Sequence, residues 1–372
     1  MRICFVIGSL DRAGAERQLL LVAGALRARG HDVGLVVLHA GGELLDQAYD
    51  LGLKVFEGRR ALESYFGLRS ILKRRQVQVV YSFMPLACIV STFASVRLQS
   101  VVRVWGIRSA DMNLGLYGLK ARVARRVASL LSGRTHTIIA NSEAGKRFHV
   151  GLGYPVDRVQ VVPNGVDCSK FEIDASLRRR FREAHGFVDS DLLVGMLARF
   201  DPIKGQRDFV ESMAVVRKTY PDVKTLLIGG GDEQFRASVR ELLERKLAGD
   251  EFVILGSTDS PEEVLNGLDV LVISSQSEGS PNVALEAMAC GVTVVGYPVG
   301  DLAQMVVPPC RISDQHHPDS LAIEIIGALA ANPTVESRQR LRDHVRTNYS
   351  VELMVDRTES LLLAALADSR KS

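Results

Sequence analysis

Cysteine is scarce and scattered in this 372-residue chain. Only Cys4, Cys88, Cys168, Cys290 and Cys310 occur, odd in number and with no Cys-x-x-Cys pair. That excludes a disulfide framework and a cysteine zinc site, and it points to a reduced, cytoplasmic protein. No apolar stretch reaches about 18 residues without a charge, which excludes a membrane-spanning helix. The chain runs straight into a strand-like segment at Ile3, so no signal peptide is expected. No recognisable nucleic-acid module is present, so nucleic acid is not an expected partner. Acidic residues are few in the first half. Residues 1–165 carry 23 Lys or Arg against 11 Asp or Glu, and the remainder carries 23 against 32. A basic half followed by an acidic one suggests that only the first faces an anionic partner.

What is present is a globular composition, 47% hydrophobic and 24% charged, in a chain long enough for two domains. The run Ile3–Cys4–Phe5–Val6–Ile7 reads as a strand. A loop containing Gly14 and an amphipathic helix through Leu19, Leu20, Val22, Ala23 and Leu26 follow it. That loop is neither a dinucleotide fingerprint nor a Walker loop, but a glycine entering a helix is compatible with phosphate. Strand-like runs then recur near 34–38, 54–56, 77–81, 100–104 and 137–140, with helical stretches between them. Such alternation predicts a doubly wound, mostly parallel sheet. Pro163–Asn164–Gly165 is a strong turn signal and marks a domain boundary. A second β–α series begins near Leu192. Two Rossmann-like domains, 1–165 and 166–349, are expected to face a cleft. Leu353, Met354, Leu361, Leu362, Leu363 and Leu366 predict a last amphipathic helix over 350–372.

The stretch Ser274–Gly296 organises the second domain. A short β-branched run ends at Ile273. Glu278 and Gly279–Ser280–Pro281–Asn282 follow, then a helix through Glu286, then a strand from Val292. Free amides at a helix N-terminus favour an anion. Glu278 and Glu286 would stand roughly 12 Å apart on a helix. That suits the two ends of one extended ligand, such as a nucleotide-sugar, better than a catalytic carboxylate pair. A loop glutamate and a helix glutamate in a salt bridge would look the same. Other strand ends are polar too. Arg199 and Lys204 offer a planar fork and a mobile point charge that could clamp a diphosphate, although two surface cations beside a proline turn remain an alternative. Gly229–Gly230–Gly231 admits a ligand or merely turns. The backbone near Gly256 could read a flat base edge.

Two basic stretches, Tyr65–Arg75 and the region from Leu116 to Arg134, mix cations with apolar residues at helical spacing. They read either as plain surface helices or as an interfacial element for an anionic membrane surface.

In order, Gly14–Ala15–Glu16–Arg17, Val162–Pro163–Asn164–Gly165–Val166–Asp167, Arg199…Lys204–Gly205, Gly229–Gly230–Gly231–Asp232 and Glu278…Glu286–Ala287–Met288–Ala289–Cys290–Gly291 resemble a retaining GT-B glycosyltransferase of family four. Trp105–Gly106–Ile107–Arg108–Ser109 is similar to bacterial members that build surface polysaccharides. The resemblance implies an N-terminal acceptor-binding domain, a C-terminal nucleotide-sugar domain and a last helix returning to the first domain across a hinge. It also implies that Arg199 and Lys204 neutralise the departing diphosphate and that Glu286 holds ribose hydroxyls. Glu278 would hold sugar hydroxyls, with the backbone from Gly279 through Ser280 and Pro281 to Asn282 lining the donor. Gly14 and Gly256 would approach it closely. The donor would be a UDP- or GDP-sugar and the acceptor a glycan or lipid-linked molecule, with no cofactor and no metal, since no Asp-x-Asp stands at a strand end. Such a protein would be cytoplasmic, either free or peripheral on the inner face of the plasma membrane. One departure stands out. Many members carry a histidine after the fourth strand, yet none occurs here between His39 and His136. Ser82 or Arg108 would have to serve on the sugar or acceptor side. The alternatives are an impaired nucleotide-sugar-binding paralogue that scaffolds a biosynthetic complex, or a GT-B enzyme acting on a soluble acceptor.

Overall fold

A computed structural model describes residues 1–58, 61–108, 119–247 and 252–370, with backbone only at 61–64 and 119–121. It divides into two compact units, Met1–Gly165 with Val351–Ser372, and Val166–Ser350.

The first unit runs β1 (Arg2–Ile7), α1 (Gly14–Ala28), β2 (Asp32–Val37), α2 (Leu45–Asp50), β3 (Lys54–Glu57), α3 (Ala61–Arg74), β4 (Val79–Phe83), α4 (Pro85–Ser95), β5 (Val102–Ile107), α5 (Leu119–Ser132), β6 (Thr137–Ala140), α6 (Glu143–Gly151) and β7 (Val159–Val161). Its seven strands are parallel in the order β3-β2-β1-β4-β5-β6-β7. Side chains alternate across the pleat. Phe5, Ile7, Tyr81 and Phe83 therefore pack on one face, while Cys4, Val6 and Val80 pack on the other. Both faces are covered, which is why the strands read as nearly unbroken apolar runs.

The second unit continues with α7 (Ala175–Ala184), β8 (Leu193–Leu197), α8 (Gln206–Val216), β9 (Lys224–Ile228), α9 (Glu233–Lys246), β10 (Phe252–Leu255), α10 (Pro261–Gly267), β11 (Val270–Ile273), α11 (Asn282–Ala289), β12 (Thr293–Gly296), α12 (Leu302–Met305), β13 (Arg311–Ile312), α13 (Pro318–Ala330) and α14 (Val335–Asn348). Its six strands are parallel in the order β10-β9-β8-β11-β12-β13. Two of the four arginines of α7, Arg178 and Arg182, are turned inward. Arg182 is 2% exposed and donates to the carbonyls of Gly267, Val188, Asp189 and Asp191 and to Asp269 Oδ2. Arg178 holds the other Asp269 oxygen at 2.9 Å.

The chain re-enters the first unit at Val351 and forms α15 (Val351–Ser369). Met354, Val355, Leu362 and Leu366 of α15 are buried in the α1-side core. At the rim, Arg29 pairs with Asp356 at 2.6 Å and with Glu359 at 2.7 Å, and His31 meets Glu359 at 2.6 Å. The turn glycine Gly165 serves this helix. A Cβ there would stand 2.7 Å from Val351 Cα, and the Gln18 amide clamps both backbone groups of Gly165.

Candidate active site

In the second unit, β8, β9 and β10 step one way from the centre of the sheet, while β11, β12 and β13 step the other. The switch therefore falls between β8 and β11, and open parallel sheets bind ligands beyond the carboxyl ends of such a pair. Arg199 and Lys204 follow β8, and Glu278 follows β11. The structure brings these three sequence candidates to that one place.

The β8 loop is shaped by its own residues. Asp201 caps the short 3₁₀ turn Pro202–Lys204, accepting from Ile203 N at 3.1 Å, and its other oxygen holds Arg199 Nη2 at 2.8 Å. Aspartate before proline is a cap signal readable in the sequence, but its hold on Arg199 needs the fold. Gly205 ends the turn at φ +73, and a Cβ there would lie 1.9 Å from the Ser274 carbonyl. Ser274 Oγ donates to Gly205 O at 2.9 Å and Gln276 N to Ile203 O at 2.8 Å, so the two loops are stitched together. Across that seam Lys204 Nζ meets Glu278 Oε1 at 2.7 Å, and Ser275 Oγ donates to the same oxygen at 2.8 Å. Arg199 is mostly exposed; Lys204 and Glu278 are mostly buried.

The glycine turn after β9 proves to be a brace. Phe200 N donates to Gly230 O at 2.7 Å and Asp232 N to Phe200 O at 3.1 Å. Cβ atoms at Gly229 and Gly231 would strike Ala198 O and Phe200 O at 2.1 and 2.5 Å. The glycines are needed because the Arg199 strand end lies flat against them. Gly256, after β10, is exposed and has nothing near its missing side chain. It stands two strands from β8, about 10 Å at the spacing of a sheet.

Glu278 to Pro281 lead into α11, whose first residue is Asn282 and which has no side-chain cap. The turn 298–301 supports this loop from behind. Gly300 at φ +55 allows contact with Gly279 O, which accepts from Asp301 N at 3.2 Å. Ser280 Oγ lies 3.6 Å from Met305 Sδ. Glu286 sits within α11, 6% exposed. Cys290 follows it, with a thiol pushed up by burial and then by Glu286, so it is poorly suited to act as a nucleophile.

The remaining candidates belong to the first unit. Gly14 is the exposed first residue of α1. Ser82 is corrected by the structure. It is fully buried in β4 and its hydroxyl donates to Ser91 Oγ of α4 at 2.6 Å, so packing consumes it. Arg108 follows β5. It donates to Asn164 Oδ1 at 2.8 Å and Tyr81 OH at 3.3 Å, and its guanidinium lies 4.5 Å over the Phe83 ring. His149 is buried, bonded to Gly145 O at 2.9 Å, and desolvation lowers its pKa below the ordinary value, while His136 accepts from Arg103 N. Both are structural. Ser109, Leu116 and their neighbours lie outside the described residues.

Two family models cover the chain almost end to end. Residues 12–170 match "Glycosyltransferase Family 4" and residues 178–347 match "Glycosyl transferases group 1". The chain belongs to the GT-B glycosyltransferases of group 1. It is 26% identical over 312 residues to the N,N'-diacetylbacillosaminyl-diphospho-undecaprenol alpha-1,3-N-acetylgalactosaminyltransferase of Campylobacter jejuni, covering 78% of this chain and 79% of that protein. It is 25% identical over 196 residues to the N-acetyl-alpha-D-glucosaminyl L-malate synthase of Bacillus anthracis, and that match covers 51% of this chain and 50% of the relative. The chain thus spans about half the length of several curated relatives it matches. The crystal structure of Anabaena Alr3699/HepE in complex with UDP-glucose shares the fold, with a TM-score of 0.87 at 20% identity over 98% of this chain and 100% of that one. This GT-B chain follows its family in architecture and carries no histidine between His39 and His136.

Proposed function

We propose that this GT-B glycosyltransferase moves a sugar from a UDP- or GDP-sugar onto a lipid-linked or polysaccharide acceptor, with retention of the anomeric configuration. The observation that carries the reading is the meeting of Arg199, Lys204 and Glu278 at the β8/β11 switch point. A leaving diphosphate gains charge as the anomeric C–O bond breaks. Preorganised cations at that position stabilise the transition state without reorganisation. Arg199 is held ready by Asp201, and Lys204 by Glu278. An arginine has five donors and a lysine three, so each keeps donors for phosphate oxygens. In the proposed transfer the sugar–phosphate bond breaks and the acceptor oxygen bonds to the same face of the sugar. The acceptor proton passes to the departing phosphate. Positioning and charge supply the rate, with Glu278 on the sugar hydroxyls, Glu286 on the ribose and the backbone near Gly256 on the base. Two cations in the diphosphate position also support transfer without a metal.

The donor class agrees with the UDP-glucose bound by HepE. The lipid-linked acceptor agrees with the diphospho-undecaprenol named for the Campylobacter relative. A thermal-shift panel of UDP, GDP, ADP and their common sugars tests the reading, since stabilisation grows with ligand concentration over Kd. One preferred base, lost in Arg199→Ala and Glu286→Ala, is the expected result. No shift from any member would overturn it. Anomeric proton couplings of the isolated product decide retention.

A further inference from the structure

The amino-terminal end of the first sheet carries a cavity of about 590 Å³. It lies where three neighbouring strands begin. Arg2 opens β1, Gln78 stands just before β4 and Val101 just before β5. The end of α3 walls it on one face of the sheet through Leu72, and the end of α15 on the other through Leu366. The strands are parallel, so a full strand separates this end from the one that bears Gly14 and Arg108. For the six residues of β1 that is roughly 20 Å. Open parallel sheets bind their substrates beyond the carboxyl ends, and the cavity is therefore no part of the transfer site.

Its rim is cationic and its floor apolar. Arg2, Lys73 and Arg370 are exposed, while Leu72, Val101 and Leu366 are buried. Among the described residues no acidic side chain lines the cavity, and none pairs with these three cations. Asp32 acts on Arg2 from further off and is already held by Lys54 at 2.7 Å. Arg2 is set in place by its neighbours. Its Nε donates to Gln76 O at 2.7 Å and its backbone N to Gln78 Oε1 at 2.9 Å. Gln76, at φ +50, presents that carbonyl from a conformation usually left to glycine or asparagine. The two Nη groups of Arg2 have no protein partner and form a fork that fits two oxygens of one anion. The plain alternative is that Lys73 and Arg370 answer the negative ends of α3 and α15. Those ends amount to about half a charge each, so three cations still leave about two positive charges unmatched.

We propose that this cavity binds an organic phosphate monoester with an apolar body. The phosphate carries about −1.5 to −2 at pH 7, which matches the excess, whereas a carboxylate would balance only half of it. It accepts from the Arg2 fork, with Lys73 and Arg370 beside it. Inorganic phosphate alone would leave most of the volume empty, since the cavity falls within the range of about 300–1,000 Å³ that holds small organic ligands. The apolar body of the ester covers Leu98, Val101 and Leu366. Because α15 supplies one wall, occupancy pins its last turn to β1 and α3.

Calorimetric titration of the full chain with 1-naphthyl phosphate tests this, with inorganic phosphate and 1-naphthol as its two halves. Neither donor nor acceptor is present, so the outcome is separable from the transferase reading. The expected result is saturable binding with Kd below about 1 mM, at least about ten-fold tighter than either half and weakened at about 0.5 M salt. Arg2→Gln should weaken it roughly ten-fold, the scale of a charge-assisted hydrogen bond. Ser100→Trp fills the cavity from its exposed rim without changing charge, and should abolish binding. Arg199→Ala should leave it unchanged. Bound probe should also slow amide exchange over residues 362–370, at the end of α15. Both substituted rim side chains are exposed, and an unchanged urea midpoint confirms that each variant folds. No saturable binding, a half that binds as tightly as the ester, or an affinity indifferent to both Arg2→Gln and Ser100→Trp would overturn the proposal. So would loss of binding in Arg199→Ala, which would assign the probe to the diphosphate position.

Discussion

Glu278→Gln should change two affinities in opposite directions. Glu278 Oε1 lies 2.7 Å from Lys204 Nζ. A phosphate oxygen accepting from the same ammonium would stand about 2.8 Å from it, hence roughly 5 Å from the carboxylate. Two like unit charges at about 5 Å repel by about 1–3 kcal/mol for an effective dielectric constant between 20 and 80. Both side chains are mostly buried, which keeps the value from the lower end. Removing the charge while keeping the shape should tighten the free nucleoside diphosphate about ten-fold. The same change removes a charged partner from the sugar hydroxyls, worth about 1.5–3 kcal/mol, so turnover should fall roughly 10- to 100-fold. Calorimetric titration with the preferred nucleoside diphosphate reads the first effect, and product formation from the sugar nucleotide reads the second. Ser275→Ala is the control. It deletes the second hydrogen bond to Glu278 Oε1 without altering charge, and diphosphate affinity should hold within about two-fold, because the carboxylate charge beside Lys204 stays in place. A Glu278→Gln variant that binds the diphosphate no more tightly would refute the placement of phosphate beside Lys204.

Further expectations concern the supports of the fold and the site. Arg182→Met leaves carbonyls without a donor and takes one of two guanidinium partners from Asp269, and should cost about 3–5 kcal/mol in urea unfolding; an unchanged midpoint would contradict the buried network. Gly205→Ala forces a side chain into the Ser274 carbonyl at positive φ, so it should destabilise by more than about 1 kcal/mol and weaken donor binding in the thermal-shift panel. The Glu359 carboxyl is held below its ordinary value by Arg29 first and His31 second. Its contribution is present above the unfolded carboxylate range and is lost as pH falls through the depressed native value. Melting temperature should therefore fall more between about pH 5 and pH 3 for the parent than for Glu359→Gln, and parallel curves would refute the coupling. Transfer should persist in excess chelator if Arg199 and Lys204 carry the diphosphate, and loss of turnover restored by magnesium would overturn that reading.

The placing of three candidate residues together was legible because strand ends are marked in one dimension. Arg199, Lys204 and Glu278 each follow a short apolar run, and the parallel sheet gathers such ends along one edge. Ser82 failed the same logic. It precedes the end of its strand by one residue, and alternation turns it inward onto Ser91. The stitches that hold the site were not legible, because Asp201, Ser275, Gly205 and Gly300 act through contacts with distant segments. The glycine turn 229–231 looked like an entry for ligand, and only its fit against Ala198–Phe200 shows that it braces the arginine loop.

By itself the sequence determined the two β–α series, their parallel character, the boundary at Pro163–Asn164–Gly165 and the polar residues at the strand ends. All of these follow from local periodicity and turn chemistry, which need only neighbours along the chain. Tertiary structure alone decided the strand order, and with it the switch point that unites β8 and β11. It buried Arg182 and spent Ser82. Those outcomes depend on which surfaces meet, and a buried polar group is defined only by what lies across from it.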